Sequence, residues 1–291
     1  MKKFKLGEFE RNSAIVFAVS MLANVVTYLY QIVMGNLLSP ADYGTINTLL
    51  SLSIVIGVPS GIISTLVATY TAKYQAVGKP ELIGGFMHKM LRASVLLACV
   101  VFAAGAALSS IIANVLQIEE TRYILATMVV VAFSCVAPVF SCTLQGVKRF
   151  VPYSINGVLN IAIRLLLSIP FVRMGFGIGG NLAAVILAAF ATAAFCFWCA
   201  RDLFFAPKIE QLHLDRTEIR RYFVSTFWFQ LFLLLMANGD VLLIKTFAAD
   251  PAEVGIYSSG SVIGKISLYL ANAIVPVLLP MVAERQSTGH D

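Results

Sequence analysis

Two cations lie deep inside apolar segments of this chain, and their chemistry is that of anion binding. Arg164 and Lys265 each lie about ten residues into such a segment, which is roughly 15 Å along a helix that rises 1.5 Å per residue. A lone Arg or Lys at the centre of a bilayer costs about 2.5–3.5 kcal/mol on insertion scales. Asp240 is the one carboxylate well inside an apolar segment. The predicted interior keeps an excess of positive charge, which suits a phosphate or pyrophosphate.

The same residues allow other interpretations. Arg164 or Lys265 could pair with Asp240 and merely fix helix packing. Asp240 could also couple transport to a proton or cation, or act as a polar residue near Asn238 at a helix end, and the sequence leaves these alternatives open. Lys245 lies close enough to the end of its segment to snorkel to the interface, so we assign it no ligand role.

Neutral polar residues recur at intervals of three or four in the apolar segments. Residues at that spacing lie on one helix face, and lipid offers them no hydrogen-bond partner. We therefore predict that they line one shared interior, most simply a hydrated cavity between two lobes. The predicted lining residues are Asn24, Tyr28, Gln31, Asn156, Asn160, Ser261, Tyr269 and Asn272, with Ser134, Ser141, Gln145 and Ser168 on the same kind of stripe.

The composition requires a membrane for these segments. Of 291 residues 59% are hydrophobic and 12% charged, whereas soluble domains are roughly 25% charged. A helix needs about 20 apolar residues to cross a bilayer core of about 30 Å. We predict an all-α integral membrane protein with eight spans, at residues 12–38, 45–72, 90–114, 122–145, 153–173, 176–200, 222–247 and 255–282.

The basic residues predict the orientation of these spans. Most of the 21 Lys and Arg lie at the chain start and in segments 73–92, 148–149 and 201–221, which fall on one side of the membrane. The positive-inside rule then places both termini of the chain in the cytoplasm. The net charge of +6 is explained by this topology, so no nucleic-acid partner is predicted.

Catalytic and metal chemistry find little support in the sequence. The three histidines are scattered and the five cysteines fall inside spans, so neither a metal site, a cofactor nor a disulfide framework is predicted. The longest loop, 201–221, has about twenty residues, too few for an extramembrane domain. We therefore expect a protein that is not an enzyme.

A short phrase, Pro-Ala-acid-x-Gly, occurs at Pro40–Gly44 and again at Pro251–Gly255. Pro, Asp and Gly favour turns, so we interpret both copies as loops between spans. Six predicted spans lie between the two copies of the phrase. An even number of spans returns the chain to the same side of the membrane, so the two halves form a parallel repeat, and substrate sites in such transporters lie between the repeats. We predict a six-helix lobe at 1–200, a linker at 201–221 and the first two helices of a second lobe at 222–291. The incomplete second lobe leads us to expect a C-terminally truncated chain.

Several motifs resemble those of the polysaccharide flippases in the multidrug/oligosaccharidyl-lipid/polysaccharide (MOP) exporter superfamily. They are the PADYG phrase, Gln145-Gly146-x-x-Arg149-Phe150, Asn156 with Arg164, and Asp240–Lys245 followed by Gly255-Ile-Tyr257. The resemblance implies two six-helix lobes around a central cavity in the bacterial inner membrane. It implies movement of undecaprenyl-pyrophosphate-linked oligosaccharide from the inner to the outer leaflet by alternating access.

The same resemblance implies roles and partners. Arg164 and Lys265 match the cavity cations that meet the pyrophosphate, and no cofactor is implied. Membrane lipids and proteins of polysaccharide assembly would be the partners. A multidrug or organic-cation exporter of the same superfamily is the first alternative, although cationic ligands favour acidic cavities. A membrane-embedded glycan-processing enzyme is the second, although such enzymes need catalytic clusters on sizeable loops.

Overall fold

The computed structural model describes residues 6–76, 78, 81–205 and 216–265. These residues form helices joined by short turns, and no strand occurs among them. In chain order the helices are α1 (Leu6–Leu37), α2 (Pro40–Ile56), α3 (Val58–Ala76), α4 (Glu81–Ala107), α5 (Ser109–Val115), α6 (Thr121–Gly146), α7 (Phe150–Phe171), α8 (Gly177–Phe204), α9 (Arg216–Phe247) and α10 (Pro251–Gly264).

Five helical segments are long and apolar enough to cross a membrane, and α2 with α3 forms a sixth that bends by 50° at Gly57. The segment 150–204 contains a π-helical turn, Val172–Phe176, in which Gly175 has a φ of 90°. The turn separates α7 from α8, whose 22 and 28 residues reach roughly 33 and 42 Å. With α7 and α8 counted separately, the described residues contain seven helical segments long enough to cross a membrane, at the positions of the first seven predicted spans. The eighth predicted span is described only as α10.

Both copies of the Pro-Ala-acid-x-Gly phrase form the first turn of a helix, so our interpretation of them as loops is wrong. Ser39 caps α2 by accepting a hydrogen bond from the Asp42 backbone N–H (3.1 Å). Asp250 caps α10 by accepting from the Ala252 backbone N–H (2.8 Å). Proline fits the first helical position because its missing N–H would have no partner there. The helices start before the predicted spans because capping turns are polar.

Helix α6 lies at the centre of α1–α8 and contacts α3, α4, α7 and α8. Its buried stripe of Ile124, Met128, Val131, Cys135 and Val139 has no exposed surface, and the spacing of three or four residues keeps the stripe on one face. Helix α7 packs against α1 and α8, α9 packs against α2 and α3, and α10 packs against α2. The two helices assigned to the second lobe therefore contact the first lobe through the bent α2–α3 pair.

The turn between α6 and α7 is held by Arg149. Its Nη1 donates to Asp202 Oδ1 (2.9 Å) and to the Cys199 carbonyl oxygen (2.9 Å) of α8, and its Nη2 donates to Asp202 Oδ2. The hydrogen bond with Asp202 raises the pKa of the Arg149 guanidinium. Gly146 allows α6 to approach α3, because a Cβ there would lie 2.7 Å from Thr71 Cβ. The Gln145–Phe150 motif is thus a structural turn.

Candidate functional site

A cavity of about 540 Å³ opens between α1, α3, α6 and α7. None of the described residues that line it is charged, and nine of the fourteen carry a hydroxyl or amide group. The polar lining consists of Ser20, Ser64, Thr65, Thr69, Ser141, Gln145, Tyr153, Ser154 and Asn156. We call this space the N-lobe cavity.

Two atoms of the N-lobe cavity lack hydrogen bonds. Ser154 Oγ and Asn156 Oδ1 are buried without a partner, although buried polar groups are almost always hydrogen-bonded. Asn156 was predicted to line a cavity between the two lobes, whereas the structure places it in the wall of this cavity within the first lobe. These two side chains keep hydrogen-bonding capacity that no described residue uses.

Arg164 lies two helical turns beyond Asn156 on α7, roughly 12 Å along the helix axis. Its guanidinium Cζ stands 4.0 Å from the centroid of the Tyr30 ring, a cation–π distance. Its Nε and Nη2 atoms are buried and without hydrogen-bond partners. A guanidinium has five donors in a fixed fork, so this one retains donors for a ligand.

The ring beneath Arg164 is fixed by a network across three helices. The Tyr30 hydroxyl of α1 donates to Asn181 Oδ1 of α8 (3.0 Å), and Asn181 Nδ2 donates to Ser168 Oγ of α7 (3.3 Å). Tyr30 and Asn181 are fully buried. Sequence reasoning missed both residues. A buried asparagine in an apolar segment was the one available signal, because the contact joins residues 151 positions apart.

Neither Arg164 nor Lys265 forms an ion pair with Asp240, which was the alternative interpretation of these cations. The ion pairs within the described part of the chain join Arg122 to Glu120 and Arg149 to Asp202. Asp240 instead accepts hydrogen bonds at Oδ2 from the Tyr257 hydroxyl (3.0 Å) and the Ser261 hydroxyl (3.2 Å) of α10. Its Oδ1 is buried and has no partner.

Lys265 belongs to this second polar cluster, between α9 and α10. Its Nζ donates to Asn238 Oδ1 (3.3 Å), and the residue follows the last turn of α10. Arg164 contacts α1 instead, so the two cations that we predicted to meet in one chamber have separate surroundings. Among the residues that the structure describes, His, Cys, Asp and Glu form no group of three that could hold a metal ion.

Other predicted lining residues bond to neighbouring helices within the first lobe. Asn160 Nδ2 donates to Thr192 Oγ1 of α8 (3.2 Å). Gln31 accepts from the Tyr43 hydroxyl (3.0 Å) and donates to Asn47 Oδ1 (3.4 Å), both on α2. Packed helices satisfy polar side chains in a membrane as well as water does, which is why a polar stripe alone does not identify a cavity.

The remaining predicted residues do not line the N-lobe cavity or lie outside the described residues. Asn24 and Tyr28 are partly buried on α1, outside the lining of the N-lobe cavity. Tyr269 and Asn272 lie outside the described residues. A smaller cavity of about 320 Å³ lies at the α2–α3 bend, between the lobes, where Gly57 and Ser134 face Gln230 of α9.

The two copies of the Pro-Ala-acid-x-Gly phrase are in direct backbone contact, where the first turns of α2 and α10 cross. A Cβ on Gly44 would lie 2.7 Å from the Gly255 backbone nitrogen, and a Cβ on Gly255 would overlap the Pro40 carbonyl oxygen. Only glycine permits so close an approach of two backbones. The contact joins the first turns of α2 and α10, which carry the two copies of the phrase.

The fold and these sites can now be compared with known proteins. A family model described as "polysaccharide biosynthesis protein" matches residues 9–286. The chain belongs to the polysaccharide biosynthesis protein family. The resemblance to the flippases of this family is thereby confirmed. No curated protein matches the chain.

Several solved structures share the fold of this polysaccharide biosynthesis family member. They include MATE in complex with Br-NRF, a multidrug resistance MATE family transporter in an outward-facing conformation, and a MOP superfamily transporter from Pyrococcus furiosus. Their identities are 16%, 19% and 17%, their TM-scores 0.68, 0.63 and 0.62, and the alignments cover 91%, 92% and 92% of this chain. At these identities the likeness shows the fold.

The chain spans 64%, 61% and 61% of the length of these transporters. The predicted fold class, an all-α membrane protein of the two-lobe exporter type, is confirmed. The apolar helices and the shared fold identify a multi-pass membrane protein of the polysaccharide biosynthesis family.

One cation of this family member was misjudged from the sequence. Lys245 does not snorkel, because the structure buries it to 4% exposure between α9 and α2. Its Nζ donates to Thr45 Oγ1 (3.3 Å), whose own proton goes to the Ala41 carbonyl oxygen (2.9 Å). Lys245 thus joins the lobes beside the crossing of the two glycines. The position of Lys245 near the end of α9 suggested that its ammonium group reaches solvent, but α2 of the first lobe covers that end of the helix.

We expect the two partners of this contact to respond differently to substitution. Thr45→Val leaves the buried ammonium without its acceptor and should lower the unfolding free energy of the full-length protein by about 1–3 kcal/mol. Lys245→Met removes the charge at similar volume and should leave stability unchanged or raised. Unfolding in detergent micelles measures both.

Thr48→Val is the matched control, because Thr48 also donates to a carbonyl of α2, that of Gly44 (2.8 Å). It measures the change in unfolding free energy caused by the loss of a buried threonine hydroxyl that does not bind Lys245. A Lys245→Met variant less stable than Thr45→Val would contradict this account of the contact.

Proposed function

We propose that the full-length protein is a flippase that moves an oligosaccharide linked to undecaprenyl pyrophosphate from the inner to the outer leaflet of the bacterial inner membrane. The observation that carries the proposal is the Arg164 guanidinium, which is buried on a tyrosine ring with two donors unpartnered. A protein retains such a group at the expense of stability. An anionic ligand with several acceptor oxygens would satisfy it.

Pyrophosphate fits this group better than other ligands do. Its oxygens can accept the parallel N–H donors of a guanidinium in a bidentate arrangement. An organic cation would be repelled by Arg164. The proposal therefore favours the lipid-linked oligosaccharide over a drug, although the solved structures with this fold include multidrug transporters.

Lys265 and Asp240 have proposed roles in the second lobe. Lys265 forms no ion pair with a described residue and is hydrogen-bonded to a neutral amide oxygen, and we assign it a second contact to the head group. Asp240 holds one carboxylate oxygen free beside the hydroxyls of Tyr257 and Ser261. It is the proposed site of proton or cation coupling.

The contacts between the lobes support a proposed alternating-access mechanism. The lobes meet through the bent α2–α3 pair and at the crossing of Gly44 and Gly255. Rocking about these contacts would expose the head-group site to one side at a time, while the lipid tail stays in the bilayer. The basic loops would face the cytoplasm, and lipids and polysaccharide assembly proteins would be the partners.

Reconstitution of the full-length protein in liposomes tests the proposal. We expect transfer to the opposite leaflet of undecaprenyl pyrophosphate carrying a neutral disaccharide, and no transport of the cationic dye ethidium. Liposomes without protein give the background rate. Transport of ethidium without movement of the glycolipid would show that the protein is an organic-cation exporter, and the proposal would fail.

A further inference from the structure

A further cavity, of about 770 Å³, lies at the end of the first lobe where α2, α6 and α8 begin. The first turns of α2 and α6, the end of α7 and the start of α8 form its wall. It is larger than the N-lobe cavity, and neither Arg164 nor Lys265 lines it. We call this space the α8 groove.

One wall of the α8 groove is an apolar strip that runs along α8 into the membrane. Ile178, Leu182 and Ile186 line it at intervals of four residues, which places them on one face of the helix over roughly 12 Å. Phe171 and Phe176 line the groove where α8 begins. The strip is nearly as long as one leaflet is deep, since the apolar core of a bilayer is about 30 Å thick. A lipid acyl chain fits this wall.

The polar end of the α8 groove carries two opposite charges that do not pair with each other. Asp42 and Arg122 both line it, and among the described residues Asp42 has no ion-pair partner. Asp42 Oδ2 accepts from the Ser39 hydroxyl (2.8 Å), which leaves lone pairs on the carboxylate. Arg122 pairs with Glu120 through Nε, one of the five N–H donors of a guanidinium. This end therefore offers an acceptor to a cation and donors to an anion.

We propose that the α8 groove holds a membrane phospholipid with a phosphoethanolamine head group, as a bound lipid and not as cargo. An acyl chain lies along the apolar strip, the phosphate accepts from Arg122, and the ammonium donates to Asp42. Tyr123 lines the same end of the groove, and tyrosine is enriched at the head-group level of membrane helices. The positive-inside rule predicts the outer leaflet for this end of the lobe.

Other common head groups match the polar end less well. Phosphatidylglycerol carries a negative charge and no cation, so it leaves Asp42 unpaired and lies near a second carboxylate, that of Glu120. Phosphatidylcholine is zwitterionic, but its quaternary ammonium has no N–H to donate. Hydrogen bonds between two charged groups are the strong ones, so Asp42 favours the primary ammonium of phosphatidylethanolamine.

The test measures which lipids the purified full-length protein retains. The protein is mixed with equal amounts of phosphatidylethanolamine, phosphatidylcholine and phosphatidylglycerol with identical acyl chains, and native mass spectrometry counts the bound lipids. We expect phosphatidylethanolamine to be bound about fivefold more than either of the others, which corresponds to one additional charge-assisted hydrogen bond. Equal binding of the three would overturn the inference. Binding of none would show that another part of the full-length protein fills the groove, and would overturn it too.

Asp42→Asn tests the polar end. Asparagine keeps an acceptor for the Ser39 hydroxyl but removes the negative charge, so we expect the preference for phosphatidylethanolamine to disappear. Glu253→Gln is the matched control, because Glu253 holds the equivalent place in the second copy of the phrase, in the first turn of α10, and does not line the groove. A preference kept by Asp42→Asn, or lost equally in Glu253→Gln, would overturn the proposed selection by Asp42.

Ala183→Phe tests the apolar strip. Ala183 lines the groove and is half-buried on α8, so a phenyl ring there should displace the acyl chain and lower bound phosphatidylethanolamine about fivefold. Ala194→Phe is the control, because Ala194 is exposed on the same helix and does not line the groove. The thermal unfolding temperature shows whether each variant is folded. A folded Ala183→Phe variant that binds phosphatidylethanolamine as the wild type does would exclude the groove as the lipid site.

Discussion

Replacing Arg164 by glutamine in the full-length protein is expected to slow glycolipid translocation roughly ten- to hundredfold. Glutamine keeps a polar side chain but loses the charge and the planar fork. Hydrogen bonds to charged groups contribute about 1.5–3 kcal/mol, and every 1.4 kcal/mol corresponds to about a tenfold change in affinity. The translocation rate of Arg164→Lys should fall between those of the wild type and Arg164→Gln, since lysine retains the charge without bidentate geometry.

The measurement separates binding from packing. Inorganic pyrophosphate should raise the thermal unfolding temperature of the wild-type protein, and Arg164→Gln should abolish that shift without lowering the temperature in the absence of pyrophosphate. Arg173→Gln, at the exposed turn after α7, is the matched charge-removal control. Translocation by Arg164→Gln within twofold of wild type, at equal amounts in the membrane, would remove Arg164 from the site.

Alanine at Gly255 is expected to damage both stability and transport. Its Cβ would overlap the Pro40 carbonyl oxygen, which belongs to a backbone and cannot rotate away. Overpacking of this kind costs about 1–3 kcal/mol. Because the glycine crossing holds α10 against α2, its disruption should also impair the proposed rocking of the lobes.

Gly260→Ala is the control on the same helix. No atom lies within 4 Å of a Cβ built there, so the change should stabilise α10 by up to about 1 kcal/mol through helix propensity. Unfolding and translocation assays on both variants give the difference caused by the crossing. If Gly255→Ala behaved as Gly260→Ala does, the close contact of the repeats would be refuted.

Much of the fold follows from local pattern. Apolar runs long enough for the bilayer predict the first seven crossings, and Gly57 marks the bend between α2 and α3. A capping residue followed by Pro, Ala and an acid specifies a helix start. We recognised the repeat but not its structure, because turn-forming residues also suit the first turn of a helix.

The site is harder to predict because its contacts are long-range. Asn156 lines a cavity within the first lobe instead of the predicted one between the lobes, and Asn160 and Gln31 bond to neighbouring helices. A polar stripe shows that a helix face needs partners. It does not show whether a ligand, water or another helix supplies them.

The sequence by itself determined the long apolar helices, since each depends on spacing along one chain segment. Only the tertiary structure decided that Tyr30 and Asn181 position Arg164, that Lys265 lies apart from it, and that Lys245 binds Thr45 from 200 residues away. Which helix faces meet is set by the packing of the whole bundle, where backbones approach closely only at small residues such as Gly44 and Gly255.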